Sequence, residues 1–303
     1  MKVGYPCINR TIRVKGARTF RLRSYSERRL IDTVANNLDC LAEILKFNFA
    51  HHILFFRISS DLVPFASHPI CQFNWLKYFR DQLKSIGRFI TSHNIRISMH
   101  PGQYAVLNSR DSEIVARTIE ELQYHAALLE TMGLDMTAKI QIHVGGVYGN
   151  KDKSLRRFID RYHVLTEALK QRLVIENDAR SYTLDDCMRI YEETDAPVLF
   201  DVFHHGMNHG GSSCRDALVK AMRSWQERDG IPMVDYSHSQ NGAGAVGHAY
   251  SIDVSHFERF LRQTEPYDFD VMLEIKDKET SAIKAVEIAC KDNRFFYDQS
   301  VRT

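Results

Sequence analysis

The run Ile95-Arg96-Ile97-Ser98-Met99-His100-Pro101-Gly102-Gln103-Tyr104 decides how the rest of the chain is read. Ile95, Ile97 and Met99 alternate with Arg96 and Ser98, the two-residue period of a β-strand, and Pro101-Gly102 stops the strand abruptly. His100 is thereby delivered to a strand's carboxyl end, with Gln103 and Tyr104 carried on the loop beyond it. A single histidine closing a strand is more often a structural group than a chemical one. Here the arrangement recurs.

Working outward, further strands are expected at 3–8, 52–58, 138–144, 172–178, 197–203, 231–237 and 269–275. They deliver His143 ahead of Gly145-Gly146, then Glu176, Asp201 with His204 and His205 just past it, Asp235, and Glu274. Helices are expected between them: 26–47, where Leu30, Val34, Leu38, Leu41, Ile44 and Leu45 recur at helical spacing, then 74–92, and 111–132 capped by Asp111 and ended at Gly133. Others follow at 153–170, 184–193, 214–228, after Ser255 as cap, and from Thr280. His68 lies in the loop after strand two. The glycine-rich stretch 240–248, ending in His248, is too flexible for a core element and reads as a functional loop.

Eight strands alternating with eight helices, with no linker or low-complexity segment, is the pattern of an α/β fold of one domain over residues 1–303, a single (β/α)8 TIM barrel. A doubly wound open sheet competes, but no Gly-x-Gly-x-x-Gly follows any strand. In a barrel all carboxyl ends share one face, where the active site is expected. That face would gather His68, His100, His143, Glu176, Asp201, His204, Asp235, His248 and Glu274.

Carboxylates pressed together at one mouth raise each other's pKa unless cations neutralise them. Mixed with imidazoles and free of thiolates, they suit Zn²⁺, Mn²⁺ or Fe²⁺ rather than a structural zinc. Nine candidates exceed the needs of one ion, so two or three ions are expected, with Glu176 as the bridge because it lies mid-ring. The other nine histidines read as surface or supporting residues, with His205 left open. Such a cluster is equipment for phosphodiester hydrolysis.

Charge distribution points the same way. The net charge is only +2, yet Arg10, Arg13, Lys15, Arg18, Arg21, Arg23, Arg28 and Arg29 face the single acid Glu27 in the first loop, with Phe20 and Tyr25 among them. Clustered arginines make bidentate phosphate contacts. The six cysteines form no Cys-x-x-Cys pair and read as reduced thiols; with no signal peptide expected and no apolar run near the roughly 20 residues of a membrane span, a cytoplasmic chain is expected.

Nearly the whole chain resembles the UV damage endonuclease family, and through it the endonuclease IV branch of the xylose-isomerase-like barrels. The resemblance is carried by Gly4-Tyr5-Pro6 with Asn9, His100-Pro-Gly-Gln-Tyr104, Ile142-His-Val-Gly-Gly146, Ile175-Glu-Asn-Asp178, Phe200-Asp-Val-Phe-His-His205, Tyr236-Ser237, His248 and Leu273-Glu274. It implies a DNA repair enzyme that nicks damaged double-stranded DNA immediately 5′ of photoproducts, leaving a 3′ hydroxyl and a 5′ phosphate. It implies Mn²⁺ first and Zn²⁺ second, no organic cofactor and no membrane partner; a monomer is the default expectation.

By the same likeness Gln103 and Tyr104 wedge into the duplex. Tyr5, Asn9 and His68 lie near the scissile phosphate or lesion, Arg10 joins the DNA contacts, and Glu176, Tyr5 and His68 form the catalytic group. One departure stands out. Family members commonly carry a lysine and a histidine two residues apart on strand seven, where this chain has Met233 and Asp235; Asp235 still offers oxygen, but Met233 cannot be carboxylated. The rival readings are an abasic-site endonuclease of the endonuclease IV type, a metal-dependent sugar isomerase or epimerase on the same barrel, and a metal-free DNA-binding module.

Overall fold

The computed structural model describes residues 1–239 and 247–297. The expected functional loop at 240–248 lies mostly outside the described residues; Gly247 and His248 are within them. The strands are β1 (Val3–Pro6), β2 (Phe55–Ile58), β3 (Arg96–Met99), β4 (Lys139–His143), β5 (Leu173–Glu176), β6 (Val198–Asp201), β7 (Met233–Tyr236) and β8 (Asp270–Leu273). They close in sequence order into one parallel barrel, β8 returning to pair with β1. Gly4 is obligatory in that ring, because a Cβ there would stand 2.0 Å from the Phe55 carbonyl oxygen.

The helices among the described residues are α1 (Glu27–Ala50), α2 (Trp75–Tyr78), α3 (Arg80–Ser92), α4 (Ser112–Thr131), α5 (Lys151–His163), α6 (Glu167–Lys170), α7 (Leu184–Thr194), α8 (Val202–Met207), α9 (Cys214–Met222), α10 (Val254–Gln263) and α11 (Glu279–Ala289). Asp111 caps α4 by accepting from the Glu113 amide, as expected. Several expectations are corrected. The helix expected at 74–92 breaks at Phe79 into α2 and α3, and that at 153–170 breaks into α5 and α6. The helix expected to 228 stops at Met222, with a 3-10 turn at Glu227–Asp229. Strand six ends at Asp201, which caps α8. Asp253, not Ser255, caps α10, its carboxylate accepting from the His256 amide at 3.0 Å.

A closed barrel buries both faces of every strand, so the alternation in β3 carries a different meaning from that in a half-exposed sheet. Its four residues are all buried. The apolar partners Ile97 and Met99 join the large core outside the strands, with Leu83, Ile90 and Leu128 from the helices, while Arg96 and Ser98 point inward. The lumen is therefore layered. At its amino end Arg96 bonds Asp270 at 2.8 Å and Lys139 bonds Asp229 at 2.6 Å. Above them Phe55, Val174, Leu199, Met233 and Met272 form a separate apolar layer. Polar side chains return above that layer, and the centre lies among them.

Candidate active site

Glu176 closes β5 and is 1 % exposed. His100 Nε2, from the end of β3, lies 3.4 Å from Glu176 Oε2, and His143 Nε2, from the end of β4, lies 3.7 Å from the same oxygen. Glu176 Oε1 faces the other way, 3.2 Å from Nδ1 of His204 on the first turn of α8. That Nδ1 is also 3.6 Å from Asp201 Oδ2. Around the rim, His248 Nε2 is 3.5 Å from Glu274 Oε2. His100, His143, Glu176, Asp201 and Glu274 stand at or just past strand ends, His204 on the turn after β6 and His248 in the loop after β7. The register His143↔Glu176 and Asp201↔Asp235 brings the strand-end donors level.

Among the described residues, three sets of donor atoms each lie within 4.8 Å of one another: His100–His143–Glu176, Glu176–Asp201–His204, and Asp201–Asp235–Glu274. Glu176 belongs to two of them. Asp201 caps α8 through Oδ1, which accepts from the His204 amide at 2.6 Å, whereas its buried Oδ2 has no hydrogen-bond partner among the described residues. A buried carboxylate oxygen left without a donor is costly, and a cation removes the cost. The residues present therefore fit a divalent ion.

The electrostatics agree. Burial pushes the Glu176 carboxyl up, but His143, His100 and His204 together outweigh it and hold the group well below the usual carboxylate range. Burial pushes Asp201 well above that range; His204 opposes this, while Glu176, Glu274 and Asp235 add to it. Burial pulls His204 down, yet Asp201 and Glu176 overcome this and raise its imidazole to about 10. The mouth is short of positive charge.

Two residues unnamed in the sequence reading organise this set. Arg57 on β2 places Nη2 2.7 Å from both oxygens of Asp235 and bonds Glu274 Oε1 through Nη1. Gln141 on β4 donates from Nε2 to Glu176 Oε2 at 2.9 Å and to Asp235 Oδ2 at 2.8 Å. For Gln141 the signal was periodicity: it stands two before His143, hence on the same inward face, between Ile140 and Ile142.

The remaining expected site residues lie elsewhere. Tyr5 is fully buried on the outer face of β1; its hydroxyl donates to Asn48 at 2.7 Å and accepts from Asn9 at 2.9 Å, so it braces Asn9 rather than facing the centre. Asn9 turns its Oδ1 to the amides of Thr11 and Ile12 and shapes the start of the first loop. The Arg10 side chain is exposed while its amide bonds Glu279. All eight basic side chains between Arg10 and Arg29, the last two of them on the first turn of α1, are exposed, and among the described residues none pairs with a carboxylate. The loop is anchored by Phe20 and Tyr25, whose rings lie 5.3 and 6.0 Å from Phe65.

His68 is exposed, accepts from the Ile70 amide, and stands apart from the three donor sets. It lines a groove of about 640 Å³ together with Phe65, Tyr104, Tyr124 and Tyr148. Tyr104 is 66 % exposed, its hydroxyl donating to Glu121 at 3.3 Å. Gln103 is exposed and lines a smaller cavity of about 340 Å³ over the centre, with His100, His143, His248 and Glu274. His205 is buried and turned to the Ser212 carbonyl at 3.1 Å.

A closed parallel barrel with imidazoles and carboxylates at its carboxyl mouth is the architecture of a TIM-barrel enzyme. The family model for UV-endonuclease UvdE matches residues 1–293. A UV DNA damage endonuclease of Clostridium perfringens (strain 13 / Type A) is 35 % identical over 304 residues, covering 100 % of this chain and 74 % of the relative. The crystal structure of SacUVDE superposes with a TM-score of 0.93 at 44 % identity, covering 97 % of this chain and 100 % of that one. The chain belongs to the UV damage endonuclease family and is a DNA repair endonuclease. Endonuclease IV from Thermus thermophilus, at 14 % identity and a TM-score of 0.60 over 83 % of this chain and 93 % of that one, shares the fold.

Proposed function

We propose that this chain, acting as one domain, nicks damaged duplex DNA immediately 5′ of UV photoproducts, pyrimidine dimers and 6-4 photoproducts, leaving a 3′ hydroxyl and a 5′ phosphate. The observation that carries the reading is the position of Glu176, shared between His100 and His143 on one side and His204 and Asp201 on the other. Two or three divalent ions, Mn²⁺ first and Zn²⁺ second, held by these groups with His248 and Glu274, would make water nucleophilic near neutral pH and offset charge on the phosphate and leaving oxygen.

The protein's own groups do the rest. Glu176 aligns the two halves of the centre, and Gln141 fixes its rotamer. Gln103 lines the cavity over the centre and Tyr104 the groove next along the chain, where an amide and an aromatic ring replace the pairing and stacking of a damaged dinucleotide turned out of the helix. The first-loop arginines hold the phosphate backbone, Arg10 nearest the barrel, with Tyr5 and Asn9 setting the loop's root. His68 offers an exposed imidazole beside Tyr104 for a phosphate. The enzyme works as a monomer on cytoplasmic DNA; among the described residues no helix is long and apolar enough to cross a membrane.

The test is a nicking assay on one duplex with a single pyrimidine dimer and on its undamaged match, with Mn²⁺ and after chelation. A Mn²⁺-dependent nick just 5′ of the dimer is expected. Cleavage of a third duplex carrying an abasic site, with none at the dimer, would move the reading to the endonuclease IV type, and no cleavage of any of the three would reject it.

A further inference from the structure

Of the four carboxylates that the described residues bring to the barrel mouth, Asp235 is the one with both oxygens on a guanidinium. Both of its oxygens lie 2.7 Å from Nη2 of Arg57, and Oδ2 also accepts from Gln141 at 2.8 Å. Asp235 is fully buried and Arg57 is 3 % exposed, so neither turns to solvent. The register Asp201↔Asp235 and Asp235↔Met272 holds the backbone beneath them. Arg57 reaches on through Nη1 to Glu274 Oε1. The other carboxylates differ. Glu176 faces imidazoles on both sides, Asp201 Oδ2 has no hydrogen-bond partner among the described residues, and Glu274 Oε2 faces His248.

The donor set Asp201–Asp235–Glu274 thus already contains a cation, and that cation is part of the protein. A guanidinium stays charged at every working pH and matches a carboxylate's two oxygens at once. A divalent ion bound through Asp235 would have to displace it, leaving a buried charge without its counter-ion.

We infer that Arg57 takes the place of a third divalent ion in this chain. The centre then holds two ions, one on His100–His143–Glu176 and one on Glu176–Asp201–His204, with Glu274 and His248 beside them. Asp235 is a positioning residue that anchors Arg57, and through it the Glu274 carboxylate, rather than a ligand. This rests on the metal reading above and narrows its two or three ions to two. Chelation would strip both divalent ions and leave the guanidinium behind.

The experiment counts ions rather than turnover. The purified full chain is loaded with Mn²⁺, freed of unbound ion by gel filtration, and its manganese measured per chain by mass spectrometry. Two are expected, and the Asp235→Asn variant, checked for fold by circular dichroism, should also hold two. Three in the native chain, or a fall from two to one in Asp235→Asn, would overturn the assignment while leaving a metal centre. No bound manganese in the native chain would overturn the metal reading itself. Should Asp235→Asn not fold, the native count decides alone: two supports the inference and three rejects it.

Discussion

The imidazole of His204 and the carboxylate of Glu176 face each other at 3.2 Å, Nδ1 to Oε1, across the step from β5 to the first turn of α8. Without an ion between them, this contact is an ion pair whose strength depends on a proton.

That proton sets the first prediction. His204 is raised from its ordinary 6.5 to about 10: burial opposes the charge, but Asp201 and Glu176 outweigh it. A raised imidazole pKa contributes stability in full below about 6.5, and the contribution is lost as pH climbs through about 10. Unfolding midpoints of chelated protein should therefore decline between these limits, and His204→Gln should flatten that stretch. A native profile already flat there would reject the pairing.

Glu176→Gln should abolish cleavage. The substitution keeps volume but removes the charge shared by both halves of the centre, and even outer partners of metal ligands cost about 10 to 100-fold when lost. A loss beyond about 100-fold with an unchanged circular dichroism spectrum is expected. Retained nicking would remove Glu176 from the bridging role.

Tyr104→Ala should weaken binding to a dimer-containing duplex by about 1 to 3 kcal/mol, the scale of one base on one aromatic ring. The ring is mostly exposed and lies outside the core, with its hydroxyl on Glu121, so its removal leaves the fold intact. Titrating damaged and undamaged duplexes side by side checks this. Equal losses on both would make Tyr104 a backbone contact.

At the opposite end of the lumen, Lys139 Nζ meets Asp229 Oδ1 at 2.6 Å with both side chains buried. Removing one partner, as in Asp229→Ala, should destabilise the barrel by about 3 to 5 kcal/mol, whereas replacing both by apolar groups should recover much of that. Denaturant melts of the single and double variants measure the difference. Equal melts for the two would argue against a buried pair there.

The strand ends were legible in the sequence because each is an alternating run stopped by a turn residue, as at Met99-His100-Pro101 and Ile142-His143-Val144-Gly145. The inward partners were harder. Arg57 sits in an apolar strand where one polar residue reads as a tolerated exposure, and only ring closure reveals that its face is the lumen. Helix ends were missed where two caps compete. Asp253 and Ser255 are both good N-caps, and the structure uses the earlier one, with Phe257 and Phe260 buried in the helix it begins. Which side of the wall the Tyr5 ring occupies was not legible either, because a strand with both faces buried shows no polar–apolar contrast between them.

The apolar layer of Phe55, Val174, Leu199, Met233 and Met272 separates the reactive mouth from the ion pairs at the amino end. It works as a spacer. The ion pairs below it share no residue with the donor sets above, and ions lost above it leave the lower bonds in place. Substitutions at Lys139–Asp229 or Arg96–Asp270 therefore alter the footing of the barrel without removing a group of the mouth.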